Sequence, residues 1–537
     1  MDFRNITQWI GRNDTSFYNL MFCLTVVWIL PGIFPLVSYE GDAMSICYGC
    51  EFTADNGWQT LGWEGYGFWM QPLTYIFLTA CRCIFDFDCE PVYTAVSAAC
   101  ALLLIYISVL FCHKLTGLNK SLLLVAILLI PESYELAMYP NSMAPAALLA
   151  LTGFLLLAQE RKFASTIALC IAPLIRLDVC VIYPVVPLLL YMNNRSIGKC
   201  MVHTCILAVT VIITVLAVYG ALGASITTTL KEFALWTGRI SEGAHFSALL
   251  GFYGLITPFL IPIGLAGMVK HRQMAITLIV ATACIIIHAI NFRFGNASKH
   301  YTLLLPYVAI INAFALRLLY CNSNHVIKWG YTALITACYL IGIYIFKNPY
   351  YGKFGMEIDP LMPKKEILKF NITTHEHPLE FSLRFGPGSL IATGDELYSI
   401  GGYLYYPYVI HKVKTMISEN ARTLKSEILP LEINVIMAPH WNDYTRIQLE
   451  NQRSGANKEI RMFDLSTDIR QADGFWKAVE NLERLLDSYS QKNEPLAFYL
   501  TTPLSYEYRM VLDEVHRRDR RFLKTDCGVY ILANSNV

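Results

Sequence analysis

Charge is what this chain has least of. Asp, Glu, Lys and Arg make up 15% of its 537 residues, and 55% are hydrophobic. Soluble domains carry about 25% charged residues, and the mean hydropathy here is +0.42. A wholly soluble protein is thereby excluded, and an integral membrane protein is expected. There is no basic tract, and a net charge of +1 offers no electrostatic footprint for a nucleic acid. There is no Gly-rich phosphate loop and no repeat at a fixed period. A strong metal signature is also missing. Most of the 16 cysteines stand singly in apolar runs, as Cys100, Cys170 and Cys284 do, and read as small core hydrophobes. Cys47, Cys50, Cys81, Cys83 and Cys89 cluster instead. One Cys-x-x-Cys is a weak motif, and disulfide, free thiols, redox pair and metal half-site all stay open.

What the chain does have is a series of apolar runs close to the roughly 17–25 residues of a helical span. The spans predicted are 17–37, 92–112, 119–135, 139–158, 163–176, 177–192, 199–221, 248–269, 273–291, 301–320 and 327–346, about eleven in all. The first is read as retained rather than cleaved, being long for a signal sequence and lacking a small-x-small exit. Alternate ends of these runs are basic: Arg4 and Arg12, Lys114 and Lys120, Arg161 and Lys162, then Lys270 and Arg272. The opposite ends carry Glu40, Asp42, Glu51, then Asp86, Asp88 and Glu90, then Glu132 and Glu135. Basic ends stay in the cytoplasm, so the N-terminus is expected inside and the acidic ends outside. An odd number of spans puts the C-terminal tail outside as well.

The same alternation decides the reading of 68–85, "FWMQPLTYIFLTACRCIF". As a span it would invert every later hairpin, so it is expected to be a juxtamembrane or re-entrant helix in an ordered outer loop, 38–91. Beyond residue 348 the composition becomes that of a soluble domain, 349–537. Strands are expected at 389–393, 434–438, 496–501 and 528–533, and helices at 408–425 and 473–490. The expected fold is therefore a polytopic α-helical membrane module, 1–348, followed by an extracytoplasmic α/β domain.

Three short stretches of the first loop stand in a suggestive order: "EGDA" (40–43), "NGWQT" (56–60) and "QPLTYIF" (71–77). Together they resemble the first outer loop of the GT-C superfamily of lipid-linked-sugar glycosyltransferases, which includes lipid A aminoarabinose transferases and protein O-mannosyltransferases. In that superfamily the first span ends at an acidic motif, followed by a small helix, a "GDW"-like turn and a Pro-containing helix. "NFRFGNASKHYTLLLPYVAIINA" (291–313) likewise resembles the "RYLLPLLP" entry to a late span.

The resemblance implies a sugar donor on a polyprenyl phosphate and a lipid, glycan or protein acceptor. Asp42, with Glu40 as runner-up, would be the general base toward the acceptor hydroxyl, and a single displacement would invert the anomeric carbon. Arg293, Lys299, His300 and Tyr301, together with Arg176, would face the donor phosphate. Glu64 is a secondary candidate for holding sugar hydroxyls. Gln71 stands where aminoarabinose transferases place a phosphate-contacting lysine, so that contact is lost or supplied elsewhere. A divalent cation held by Asp42 and Glu40 through oxygen ligands stays open. The bilayer is the remaining partner, and a bacterial inner membrane is the expected location.

Plainer readings compete. Glu40 and Asp42 are also what solvated helix-end charges look like, and Arg176 also suits a structural ion pair with Asp178. A transporter, or a non-catalytic or polymerase-type polysaccharide assembly protein, is the rival reading of the whole chain. Transporters, however, tend to show repeated halves with midplane charges, whereas the charges here gather at one surface.

Overall fold

A computed structural model describes residues 14–38, 41–61, 71–194, 196–222, 252–254, 256–294, 298–321, 333, 406–463, 474–501 and 506–532. The expected span at 327–346, apart from residue 333, and the expected strand at 389–393 lie outside these residues. The chain forms two compact units. One comprises 1–33, 67–77 and 93–347; the other comprises 34–66, 78–92 and 348–537.

The first unit is helical. Among the described residues, four helices are long and apolar enough to cross a bilayer: Asp14–Ile33, Cys89–Thr116, Ile197–Ala221 and Lys299–Tyr320. Shorter apolar helices include Met143–Ala158, Lys162–Ile175, Ile256–Lys270 and the long part of Met274–Phe294. Two predicted spans are broken up. The run 119–135 is a helix over Lys120–Leu128, then a turn at Pro131, then one short helix, Glu132–Glu135. The pair 163–176 and 177–192 is a helix to Ile175, a 3-10 segment over Leu177–Val185, and a helix from Val186 to Asn194. Prolines account for the breaks: Pro131, Pro173, Pro184 and Pro187 each lack the N–H that a regular helix would donate.

Close packing in this unit depends on small residues. A Cβ on Gly264 would lie 2.2 Å from the Ile311 carbonyl oxygen, so helix Ile256–Lys270 meets helix Leu305–Cys321 backbone to backbone. Between apolar helices such contacts supply the van der Waals fit that a solvent-driven effect cannot. Asn312 adds polar links at the same place, donating from Nδ2 to the Ala126 carbonyl and to Thr257 Oγ1, both at 3.3 Å. Elsewhere Asp14 caps helix Lys120–Leu128, its carboxylate accepting from Lys120 N at 2.8 Å and Ser121 N at 3.2 Å.

The second unit is built on a five-stranded sheet in the order β2-β1-β3-β5-β4. The strands are β1 Val435–Ala438, β2 Glu459–Met462, β3 Leu496–Phe498, β4 Phe522–Lys524 and β5 Tyr530–Leu532. β1 pairs in parallel with β2 and β3, while β5 pairs antiparallel with β3 and β4. The strand period of two divides the core. Val435, Met437, Leu496 and Phe498 face Val479, Leu482, Leu486 and Leu512 from helices Gly474–Lys492 and Tyr506–Arg518. Ile436, Ala438 and Ala497 face the other way, toward Leu424, Ile428 and Ile447. This second layer includes helix Trp441–Ser454, which begins with the His440 side chain accepting from Asn442 N. It ends at Gly455, whose φ of 65° is the left-handed conformation of a helix stop.

The first loop contributes helix Gly41–Asn56, a short 3-10 turn over Trp58–Thr60, and part of helix Pro72–Phe85. At 14 residues Pro72–Phe85 is too short for a regular span.

Candidate active site

Asp42 is the second residue of helix Gly41–Asn56, in its first turn, and is partly exposed. Peptide N–H groups not yet used within the helix point toward this end, which favours a carboxylate there. Glu40 and Glu64 fall outside the described residues. Around Asp42 the helix is mostly buried, including Ala43, Met44, Ile46, Cys47 and Cys50. Cys47, Cys50 and Cys89 are buried thiols outside any disulfide, and burial pushes the Cys47 and Cys50 thiols well up. Among the described residues no group of three His, Cys, Asp or Glu side chains gathers to hold a metal ion.

The unit that carries Asp42 also contains a buried ionic network. Arg446 forks onto Glu90, Nη1 to Oε2 and Nη2 to Oε1, both at 2.6 Å. Its Nη2 also donates to the Ser38 carbonyl at 2.6 Å, and Ser38 N donates to Glu90 Oε1 at 2.7 Å. Arg453 forks onto Glu51, Nε to Oε2 at 3.0 Å and Nη2 to Oε1 at 2.8 Å. Glu51 Oε1 accepts Cys89 N at 3.0 Å as well. Arg453 Nη1 donates to Glu450 at 2.9 Å, and Gln452 Nε2 donates to Asp55 at 3.0 Å. Burial raises the Glu450 carboxyl despite the pull of Arg453 and Arg446. Lys414, wholly buried, has its ammonium lowered to about 7 by burial, with the Glu90 charge working against the shift.

In the helical unit the sequence candidates separate. Arg176 ends helix Lys162–Ile175 in an extended conformation. It donates from Nε to both Asp178 oxygens, at 2.9 and 3.0 Å, and from Nη1 to Ser142 Oγ at 3.3 Å. His300 Nδ1 lies 3.9 Å from Asp178 Oδ2, so one carboxylate stands between the two candidate cations. Lys299 is partly exposed beside it. Tyr301 is 1% exposed, its ring packed on Phe252 and His288. Arg293 lies in helix Met274–Phe294, and its side chain is outside what is described. Gln71 is buried, its Oε1 without a hydrogen-bond partner among the described residues, and its carbonyl accepts Thr74 N at 3.1 Å. Thr74 in turn donates to the Ile175 carbonyl at 3.4 Å, next to Arg176.

Glu132 and Glu135, which look like outer helix-end charges in the sequence, are both buried, and Tyr139 donates its hydroxyl to Glu132 at 3.0 Å. Sequence reasoning read Glu51 and Glu90 only as outer charges, and it did not single out Arg446 or Arg453. One signal was available: Arg446 and Arg453 are seven residues apart, two turns along one helix face.

The chain matches no family model, and it matches no curated protein sequence. Solved structures do match. ArnT from Cupriavidus metallidurans in the apo state is 13% identical, with a TM-score of 0.55 over 96% of this chain and 98% of that one. The same protein bound to undecaprenyl phosphate is 14% identical, with a TM-score of 0.50 over 98% of both chains. The chain has the fold of ArnT. The likeness runs nearly end to end, so it takes in the first loop and the tail as well as the apolar helices. At this identity it establishes architecture, and the chemistry has to be argued from the residues.

Proposed function

We propose that this protein is an integral membrane glycosyltransferase that moves a sugar from a polyprenyl phosphate to a hydroxyl of a lipid, glycan or protein acceptor. The observation that carries the reading is Asp42, a partly exposed carboxylate in the first turn of a mostly buried loop helix, within an ArnT-like fold. Undecaprenyl phosphate, bound by ArnT in one of the two structures, supplies the class of donor lipid.

In the proposed reaction the acceptor oxygen attacks the anomeric carbon as the bond from that carbon to the phosphate oxygen breaks. The acceptor proton passes to the Asp42 carboxylate, and the bonding electron pair leaves with the polyprenyl phosphate. Back-side attack inverts the anomeric centre. A base placed in this way contributes typically 10²–10⁴-fold. Arg176, Lys299 and His300 are proposed to meet the donor phosphate, with Arg293 joining them; stabilisation of charge developing on a leaving group is usually the larger contribution. Arg176 suits that task because its guanidinium is already oriented by Asp178 and Ser142. Glu40 is the alternative base, and Glu64 and Gln71 are proposed to hold donor hydroxyls or phosphate. A divalent cation on Asp42 and Glu40 is a separate proposal, supported if EDTA abolishes transfer and magnesium or manganese restores it. The location proposed is a bacterial inner membrane, with Asp42 on the outer side.

Two measurements test the reading. Mass spectrometry of lipid extracted from the purified protein should find an isoprenoid phosphate. Asp42→Asn should fold and retain that lipid yet lose transfer by about 10²-fold or more. Full transfer by the double variant Asp42→Asn, Glu40→Gln would overturn the carboxylate-base mechanism.

A further inference from the structure

Glycosyl transfer of the kind proposed needs Asp42 fixed to within a fraction of an ångström, since a misplacement near 1 Å costs about 10²-fold. Helix Gly41–Asn56 lies in a loop between apolar runs, so its place depends on what holds the chain on either side of Asp42. The clamps come from the far end of the chain. Ser38, four residues before Asp42, is held through both its N–H and its carbonyl by the Glu90–Arg446 pair. Glu51, nine residues after Asp42, is held by the Arg453 fork. Both arginines belong to helix Trp441–Ser454. That helix also presses against the start of Asp42's helix: a Cβ on Gly41 would sit 2.6 Å from Asn442 Oδ1 and 2.7 Å from Trp441 Cδ1.

We propose that Arg446 and Arg453 are positioning residues of the transfer reaction, through which the C-terminal domain sets the place and tilt of the helix bearing Asp42. The inference rests on the glycosyltransferase reading above. The choice of residue type supports it. Side chains of Glu51, Glu90 and Arg446 are no more than 3% exposed, and replacing buried ion pairs of this kind by apolar residues is often neutral or stabilising. Adhesion alone therefore does not require them. A two-point guanidinium–carboxylate fork adds a fixed angle and register, which apolar contact and a single lysine do not.

The decisive variant is Glu51→Met with Arg453→Met in the full-length protein in nanodiscs, where loss of charge need not mean loss of fold. Its melting temperature is expected to fall by several degrees, since the change also takes Arg453 from Glu450 and Glu51 from Cys89 N, with the fold retained. Hydrogen exchange should rise in peptides from 41–56 while peptides from 474–492 stay unchanged. With undecaprenyl-phosphate-linked glucose, mannose or 4-aminoarabinose as donor, and released undecaprenyl phosphate as the readout, kcat should fall about 10-fold or more while donor KM holds within about twofold. In an Asp42→Asn background the same pair of changes should cost nothing further, since a positioning residue acts through the group it positions.

Unchanged exchange over 41–56 overturns the proposal, and so does a kcat loss of equal size in the Asp42→Asn background. If none of the three donors turns over, the exchange result decides the matter alone. Should Asp42→Asn by itself transfer at the wild-type rate, the base assignment falls, and the exchange measurement still shows whether the arginines hold the helix.

Discussion

Lys414 shows how far a single side chain can depart from what its letter suggests. It lies on helix Tyr406–Thr423, wholly buried. Burial brings its ammonium from an ordinary 10.5 down to about 7, with Glu90 pulling the other way. Between those two values the unfolded chain binds a proton that the folded chain does not, so stability rises with pH across the window. Below about 7 the lysine is charged in both states and the burial penalty is present in full. The melting temperature of the wild type in nanodiscs is therefore expected to climb relative to Lys414→Met from pH 6.5 to 9.5. At the acid end the methionine variant should be the more stable of the two. Parallel pH profiles for the two proteins would contradict this. The same scale explains what the sequence concealed. Glu51 and Glu90 stand in a polar loop and read as solvated acids, yet their side chains are 2% and 3% exposed. Their arginine partners, 402 and 356 residues away, supply the opposite charge that makes that burial tolerable. No local pattern reports a partner at such a distance. The helix that Asp42 opens, by contrast, was legible because its signal is local, a carboxylate beginning a polar stretch just after an apolar run.

Among the elements, hydrophobic periodicity found the helices at 408–425 and 473–490 and the strands at 434–438, 496–501 and 528–533, each within a few residues of those observed. It did not find helix Trp441–Ser454. That helix buries Asp443, Arg446, Glu450 and Asn451 beside Ile447 and Leu449, so its inward face is largely polar and its periodicity is inverted. β2 also escaped notice, because three of its four residues, Glu459, Arg461 and Met462, are exposed. In the helical unit, apolar length located the long helices, while the proline breaks at 131 and 184 were read through. Spacing between helices was beyond the reach of composition. Gly264 illustrates the point, since the Ile311 backbone occupies the place where its Cβ would go. Gly264→Leu should therefore push the two helices apart, and overpacking of this kind costs about 1–3 kcal/mol. A drop of several degrees in melting temperature is expected. The control Gly198→Ala, where nothing lies within 4 Å, should leave the temperature unchanged or raise it. Equal behaviour of the two variants would show that the close approach is not needed.

For the molecule as a whole, the grouping of the chain constrains topology independently of charge. Residues 34–66 and 78–92 share a unit with 348–537, and direct hydrogen bonds link Ser38 and Glu51 to Arg446 and Arg453. Groups that touch in this way cannot lie on opposite faces of a bilayer. The chain must then cross the membrane an even number of times between residue 93 and residue 405, whatever the total proves to be. The bias of Lys and Arg leads to the same parity from different residues, ten expected crossings in that interval, and it adds which side is out. A labelling experiment can separate the two statements. Asn56 and Arg484 are both exposed in the second unit. Single cysteines placed there, with the exposed Cys83 changed to Ser, should react with a membrane-impermeant maleimide to the same degree in intact cells. Reaction of both assigns the outer side to Asp42 and to the tail together. Reaction of neither would move the whole unit, and the proposed chemistry with it, to the cytoplasm while leaving the fold intact. Reaction of only one would break the parity, and with it the arginine clamps on which the positioning of Asp42 depends.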